Sequence, residues 1–180
     1  MKVLIVSDLH GSYFYATKVI ELLKLHQADK LLFLGDALYH GPRNPLPKEY
    51  NPAKVCELLN SYKDIIIAVR GNCDSEVDQM VLHFDLLETY TTLYINEKSI
   101  FATHGHIYHP EHLPKGHYDF FMYGHTHLFQ LEQQGTLTLY NPGSISMPKG
   151  GNPSTYGLLS EDGLYIYDLD GHIVKQQRFK

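Results

Sequence analysis

The chain has 180 residues, 43% of them hydrophobic, and a formal net charge of -5 from 15 Lys and Arg against 20 Asp and Glu. That length and composition fit one domain over residues 1–180 with a full hydrophobic core, and the acidic balance argues against a broad nucleic-acid-binding surface. Twelve histidines beside two cysteines leave no basis for a disulfide framework and point to imidazole chemistry in a reducing cytoplasm.

KVLIV, Lys2 to Val6, reads as a buried strand. Its apolar core is too short for a signal segment or a membrane span. From Ser12 a helical period runs through Ala16, Val19, Ile20 and Leu23, and KLLFLG then gives a second buried strand ending at Gly35 and Asp36. The proline-rich ALYHGPRNPLPKEYNP is a surface excursion leading into a helix from about Pro52 to Leu59, and DIIIAV is a third strand running into RGNCD. Such strand, helix, strand units place ligands at the carboxyl ends of the strands.

Beyond about residue 84 the texture becomes antiparallel. ETYTTLYI and KSIFATHG are predicted to pair through a turn at Asn96 and Glu97. DFFMYG, LFQLEQQ and TLTLYNPG follow, with Gly135 in a turn, and YGLLS, LYIYDL and HIVKQQRF close the chain. The apolar positions of VLHFDLLETYTTLYI fit a core better than the interface of a homo-oligomer, which they also admit.

The polar residues that end these apolar runs form a set: Asp8 and His10, Asp36, Asn72, His104, and the pair His125 and His127 in YGHTH. In a strand-like segment residues i and i+2 share a side, so His125 and His127 are expected to converge. Two buried carboxylates would be costly alone, but around cations the whole set is satisfied. Oxygen and imidazole donors suit manganese, iron, zinc or another borderline divalent ion, and the set exceeds what one tetrahedral ion needs; two ions joined by a bridging carboxylate would use it. The residues alone leave Asp8 and Asp36 as equal candidates for the bridge.

DLHG, GDALYHG, GNCD, THGH, GHTH and NPGS, in this order over nearly the entire chain, resemble the motifs of the calcineurin-like metallophosphoesterases, and among them those of the small bacterial and archaeal phosphodiesterases. The resemblance implies an α/β fold, a four-layer αββα sandwich of two mixed sheets flanked by helices. It implies two divalent ions, manganese foremost, with zinc, iron, nickel or magnesium admitted. Asp8, His10, Asp36 and His127 would hold one ion; Asp36 would bridge to the second, held also by Asn72, His104 and His125.

The implied activity is hydrolysis of small phosphodiesters by a metal-bridging hydroxide, with Asp36, Asn72, Cys73, Asp74 and His104 in the catalytic set. Cys73 stands where many relatives carry a histidine that protonates the leaving group or contacts the phosphate; a thiol lacks imidazolium's charge. His40 and Arg43 are expected to reach the phosphate from the long loop. Asp74 is expected to orient His125 or brace its loop, His106 to lie outside direct ligation, and Asn141 to Ser144 to close the cavity floor. Two alternatives stay open: a phosphomonoesterase or phosphoprotein phosphatase on the same metal pair, and a non-catalytic scaffold, the role of a related subunit of the eukaryotic retromer. No membrane or nucleic-acid partner is expected.

Overall fold

The computed structural model describes residues 1–179. The run VLIV forms β1 (Val3–Val6), with all four side chains buried. Its pleat sends Leu4 and Val6 to one face, where Ala16, Val19 and Leu23 of α1 (Tyr13–His26) cover them, and Val3 and Ile5 to the other, against Ile100, Phe120 and Tyr140 of a second sheet. Burial on both faces explains why the strand is a continuous apolar run. β2 (Lys30–Phe33) and β3 (Ile66–Ala68) extend it in parallel, and α1 and α2 (Pro52–Asn60) make the crossovers.

Local chemistry sets the helix starts. Ser12 Oγ accepts from the Tyr15 N–H to begin α1, and Asn51 Oδ1 accepts from the Lys54 N–H just before Pro52 in the first turn of α2. On the other flank of β1, β9 (Thr155–Leu159), β10 (Gly163–Asp168) and β11 (Ile173–Arg178) run antiparallel, so the sheet reads β11-β10-β9-β1-β2-β3.

The second sheet has the order β4-β5-β6-β8-β7. β4 (Tyr90–Ile95) and β5 (Lys98–Thr103) form the predicted hairpin, turning through Asn96 and Glu97 at φ +50° and +61°, the positive pair that a tight two-residue turn requires. β6 (Phe120–Met122) lies parallel to β5 and to β8 (Leu137–Pro142), and β7 (Phe129–Gln134) closes on β8. The two mixed sheets and their flanking helices are those expected. Phe101, Phe121 and Leu139, on the outer face of the second sheet, pack under Tyr108 and Tyr118 from residues 104–119, a segment without a helix.

Two details differ from the sequence reading. The first residues of DIIIAV belong to a 3-10 turn, Lys63–Ile65, so β3 starts only at Ile66. A short helix, α3 (Glu76–Val81), follows RGNCD and was not anticipated, because it is only six residues long and its apolar residues Val77, Met80 and Val81 face out of the core. Its one local signal is the capping box of Ser75 and Asp78. In the segment from Val81 to Ile95 the positions divide: Leu82, Phe84, Leu86 and Ile95 are core, whereas Tyr90 and Tyr94 are exposed. Among the described residues no helix is long and apolar enough to cross a membrane.

Tyr140 ties the sheets together: fully buried on β8, it donates through Oη to the Tyr165 carbonyl of β10 at 3.0 Å. Tyr140→Phe should therefore cost about 1–2 kcal/mol through the unpartnered carbonyl. A urea titration checks this, with a lower midpoint and an unchanged slope expected.

Candidate metal centre

Each predicted ligand sits just past the end of a strand, where the backbone leaves regular geometry. Asp8 and His10 follow β1, Asp36 follows β2, Asn72 follows β3, His104 follows β5, and His125 with His127 follow β6. Five of them, Asp8, His10, Asp36, His125 and His127, adopt left-handed backbone with φ between +52° and +65°. That conformation costs a non-glycine residue about 1–2 kcal/mol and persists only where neighbours enforce it.

The enforcing contacts are present. Ser144 and Ser146 both donate from Oγ to the Asp8 carbonyl, at 2.9 and 2.8 Å. Asn141 donates to the Gly124 carbonyl and to Thr126 Oγ1, clamping the turn that carries His125 and His127. Asn141 and Ser144 of NPGS thus brace the turns that carry Asp8, His125 and His127, though NPGS itself does not border the central cavity. Asp74 accepts from the N–H groups of Asp36, Ala37 and Gly71 at 2.7–2.8 Å, which braces the Asp36 loop. With both oxygens so engaged it makes no hydrogen bond to His125, so only the bracing half of its expected role is seen. Gly71 is required here, since a Cβ would stand 2.1 Å from Asp36 Oδ1.

Backbone carbonyls fix the imidazoles. His10 Nδ1 donates to Tyr39 O (2.9 Å), His104 Nδ1 to Leu34 O (2.6 Å) and His127 Nδ1 to Met147 O (2.5 Å). A carbonyl can only accept, so each ring carries its proton on Nδ1 and turns Nε2 inward. The inward atoms crowd together. His10 Nε2 and His127 Nε2 lie 3.3 Å apart, His127 Nε2 is 3.3 Å from Asp8 Oδ1, and Asp8 Oδ1 is buried with no hydrogen-bond partner. Acceptors converging on one another without a donor fit a cation between them.

Asp36 occupies the middle. Its Oδ1 accepts from the Cys73 N–H at 2.8 Å, and its Oδ2 lies 3.6 Å from His10 Nε2 and 3.5 Å from His104 Nε2. Donor atoms fall within 4.8 Å of one another in three groups: Asp8, His10 and His127; Asp8, Asp36 and His104; and His10, Asp36 and Cys73. Asn72 Oδ1 joins at 3.1 Å from His104 Nε2, and the His125 ring lies 5.2 Å from that of His104. His125 stands beside His104 and His127 beside His10, and both border one cavity; left-handed backbone, rather than the pleat of a strand, places them there.

The field among these groups is strong. Burial opposes ionisation of Asp36, but its hydrogen bond to His104 and the charges of His104 and His10 outweigh burial and hold it well below the usual carboxylate range. His104, despite burial that disfavours its cation, is pushed up to about 9 by Asp36 and then Asp8. Burial first, then the charge of Asp36, pushes the Cys73 thiol up to about 12. His106, half-buried beside His104 and His125, is lowered to about 4 by desolvation and then by those two rings, and does not line the central cavity.

That cavity, about 340 Å³, is bordered by His10, Asp36, Asn72, Cys73, His125 and His127 and capped by Arg43. His40 is not on its wall; its ring sits edge-on to Tyr39 and Tyr50, at 4.9 and 5.2 Å. Lys149 is on the wall and was not foreseen. Its only sequence signal was a lone lysine five residues past the GS of NPGS, within PKGGN, a position that a surface lysine fills equally well.

Residues 1–163 match the Calcineurin-like phosphoesterase superfamily domain. The chain is 48% identical over 178 residues to Phosphodiesterase YfcE of Escherichia coli strain K12, covering 98% of this chain and 97% of that protein. A solved structure of the E. coli phosphoesterase Yfce superposes with a TM-score of 0.97 at 47% identity, covering 100% of both chains. Vps29 of Chaetomium thermophilum, 18% identical with a TM-score of 0.68 over 99% of this chain and 97% of that one, shares the fold alone. By its sequence, its architecture and the acceptor-rich centre at its strand ends, the chain belongs to the calcineurin-like phosphoesterase superfamily.

Proposed function

We propose that the chain hydrolyses small phosphodiesters with a pair of divalent cations, manganese foremost and zinc, iron, nickel or magnesium as substitutes. Asp8, His10, Asp36 and His127 hold one cation; Asp36, Asn72, His104 and His125 hold the other. The observation that carries this reading is the buried, unpartnered Asp8 Oδ1 facing bare imidazole nitrogens. When bound, the cations supply Lewis acidity that activates water and offsets the charge developing on phosphorus oxygens. The name of the 48% identical relative, a phosphodiesterase, supports the substrate class.

The chain's own residues do the rest. Asp36 keeps the two ligand sets in register, because its Oδ2 stands between one histidine of each. Asn72 contributes a neutral oxygen and leaves the centre more positive than an aspartate would. Arg43 and Lys149, on the cavity wall, neutralise phosphoryl oxygens, and the arginine fork does so with two parallel donors. Cys73 keeps its proton and offers no positive charge, so departure of the alcohol relies on the alcohol's own acidity. A phosphomonoesterase remains the nearest competitor, and a scaffold role the more distant one. Two free thiols, Cys56 and Cys73, accord with a cytoplasmic setting, and the exposed Tyr90 and Tyr94 give a homo-oligomer a surface.

Three outcomes are expected. First, with manganese added, matched aryl esters should show the diester cleaved faster than the monoester, and Asp36→Asn should lower kcat by about 100- to 1000-fold while far-UV dichroism stays unchanged. Faster monoester cleavage would favour the phosphatase, and no cation binding at micromolar concentration would favour the scaffold. Second, the proton on His104 is held up to about pH 9, and a cation must displace it. Affinity for manganese should therefore climb as pH rises toward 9, by up to about tenfold per unit for one released proton, and fall on acidification. Calorimetry in buffers of different ionisation enthalpy counts that proton. Third, Cys73→His should flatten the dependence of rate on leaving-group acidity by supplying a proton donor; an unchanged slope would remove this role for residue 73.

A further inference from the structure

Cys73 lines two cavities. One is the metal-centre cavity; the other, about 620 Å³, opens on the far side of the thiol between the long loop, α2 and α3. Its walls include Tyr39, Tyr50, Ala53, Val77 and Val81, with Ser75 and Asp78 engaged with each other in the α3 cap, and this size and mostly apolar lining are those of a small-molecule pocket. Cys73 stands on both walls, and Gly41, on the metal-centre side, lies where an added Cβ would stand 3.3 Å from Cys73 Sγ.

α3 has no structural use for its apolar residues. Val77, Met80 and Val81 are 68%, 81% and 45% exposed, and no residue of this helix is buried. The opposite wall, by contrast, is fixed to the metal centre, because the Tyr39 carbonyl that borders the pocket accepts the Nδ1 proton of His10. A phosphate at the centre and an apolar group in the second pocket are therefore held in a defined relation.

We propose that this second cavity is the subsite for one ester group of the substrate, and that the group is apolar and of aromatic or medium alkyl size. The inference rests on the phosphodiesterase reading and adds the substrate class. A phosphodiester carries two organic groups and only one anionic charge, so a site that gains from burying one of them selects diesters over inorganic phosphate by the hydrophobic effect. The polar cavity, with Arg43 and Lys149, takes the phosphoryl oxygens.

Calorimetric binding of methyl-, butyl- and hexylphosphonate to the manganese-loaded protein tests this without reference to turnover. Affinity should rise about two- to fourfold per added methylene. Val77→Gln and Ala53→Gln, both at exposed positions, should remove that rise and leave methylphosphonate binding and unfolding temperature unchanged. A series that binds with no dependence on chain length would overturn the subsite while sparing the metal-centre reading. So would a rise that survives both substitutions. Failure of methylphosphonate itself to bind would remove both. A sedimentation change in Val77→Gln, together with a flat series in the unaltered protein, would assign the pocket to a second copy of the chain instead.

Discussion

Two buried carboxylates with too few donors govern the architecture of this molecule. Asp8 and Asp36 are almost wholly buried, and each spends one oxygen on a backbone N–H, of His125 and of Cys73 respectively. The remaining oxygens face only imidazole nitrogens. Charges in such a place are expensive unless paired, and truncating one partner leaves the other stranded. His104 answers part of the demand by holding a proton between Asp36 and Asp8, which is why it is so basic for a residue with no exposure. A divalent cation answers more of it, and competes for the same place.

Holding that arrangement has a conformational cost that the scaffold meets nearby. Among the described residues, five of the nine non-glycine residues with positive φ are proposed ligands. Left-handed backbone at consecutive strand ends would relax if it were free to, so each loop is tied to a different element: Asp8 to Ser144 and Ser146, Asp36 to Asp74, and the His125 turn to Asn141. The Asp8 tie crosses between the sheets, which makes the inter-sheet packing around Ile5, Ile100 and Tyr140 part of the ligand geometry. Close approach of backbones does the same work at Gly124, where a Cβ would meet Ser7 Oγ at 1.9 Å.

The sequence disclosed those parts whose cause is local or periodic. β1 and β2 were legible because burial on both faces demands continuous apolar runs, and the Asn96–Glu97 turn because its two-residue connection admits few conformations. The seven candidate ligands were legible because each lies at the end of such a run. What stayed hidden depends on contacts between distant segments. No pattern announces that Leu34, Tyr39 and Met147 will offer carbonyls to three histidines, that Asp74 will clasp a loop 37 or 38 residues away, or that Lys149 will reach the cavity. His125 and His127 share one cavity for a reason the pleat does not supply: their backbone is set by Asn141 and Asp8, not by a strand.

The sign of the charge at the centre decides which molecules can enter. The chain carries a formal charge of -5, and Asp8, Asp36 and Asp74 concentrate negative potential behind the cavity. Arg43 and Lys149 at the wall are too few to reverse that field for a phosphate. Two divalent cations reverse it outright, so the same carboxylates that repel an anion become the means of attracting one. Selectivity then passes from charge to shape. A monoester dianion gains more from the cations than a diester does, and a diester recovers the difference only if its second organic group finds apolar surface. The second cavity beyond Cys73, bordered by Tyr39, Tyr50 and α3, is the apolar surface the proposed subsite offers it.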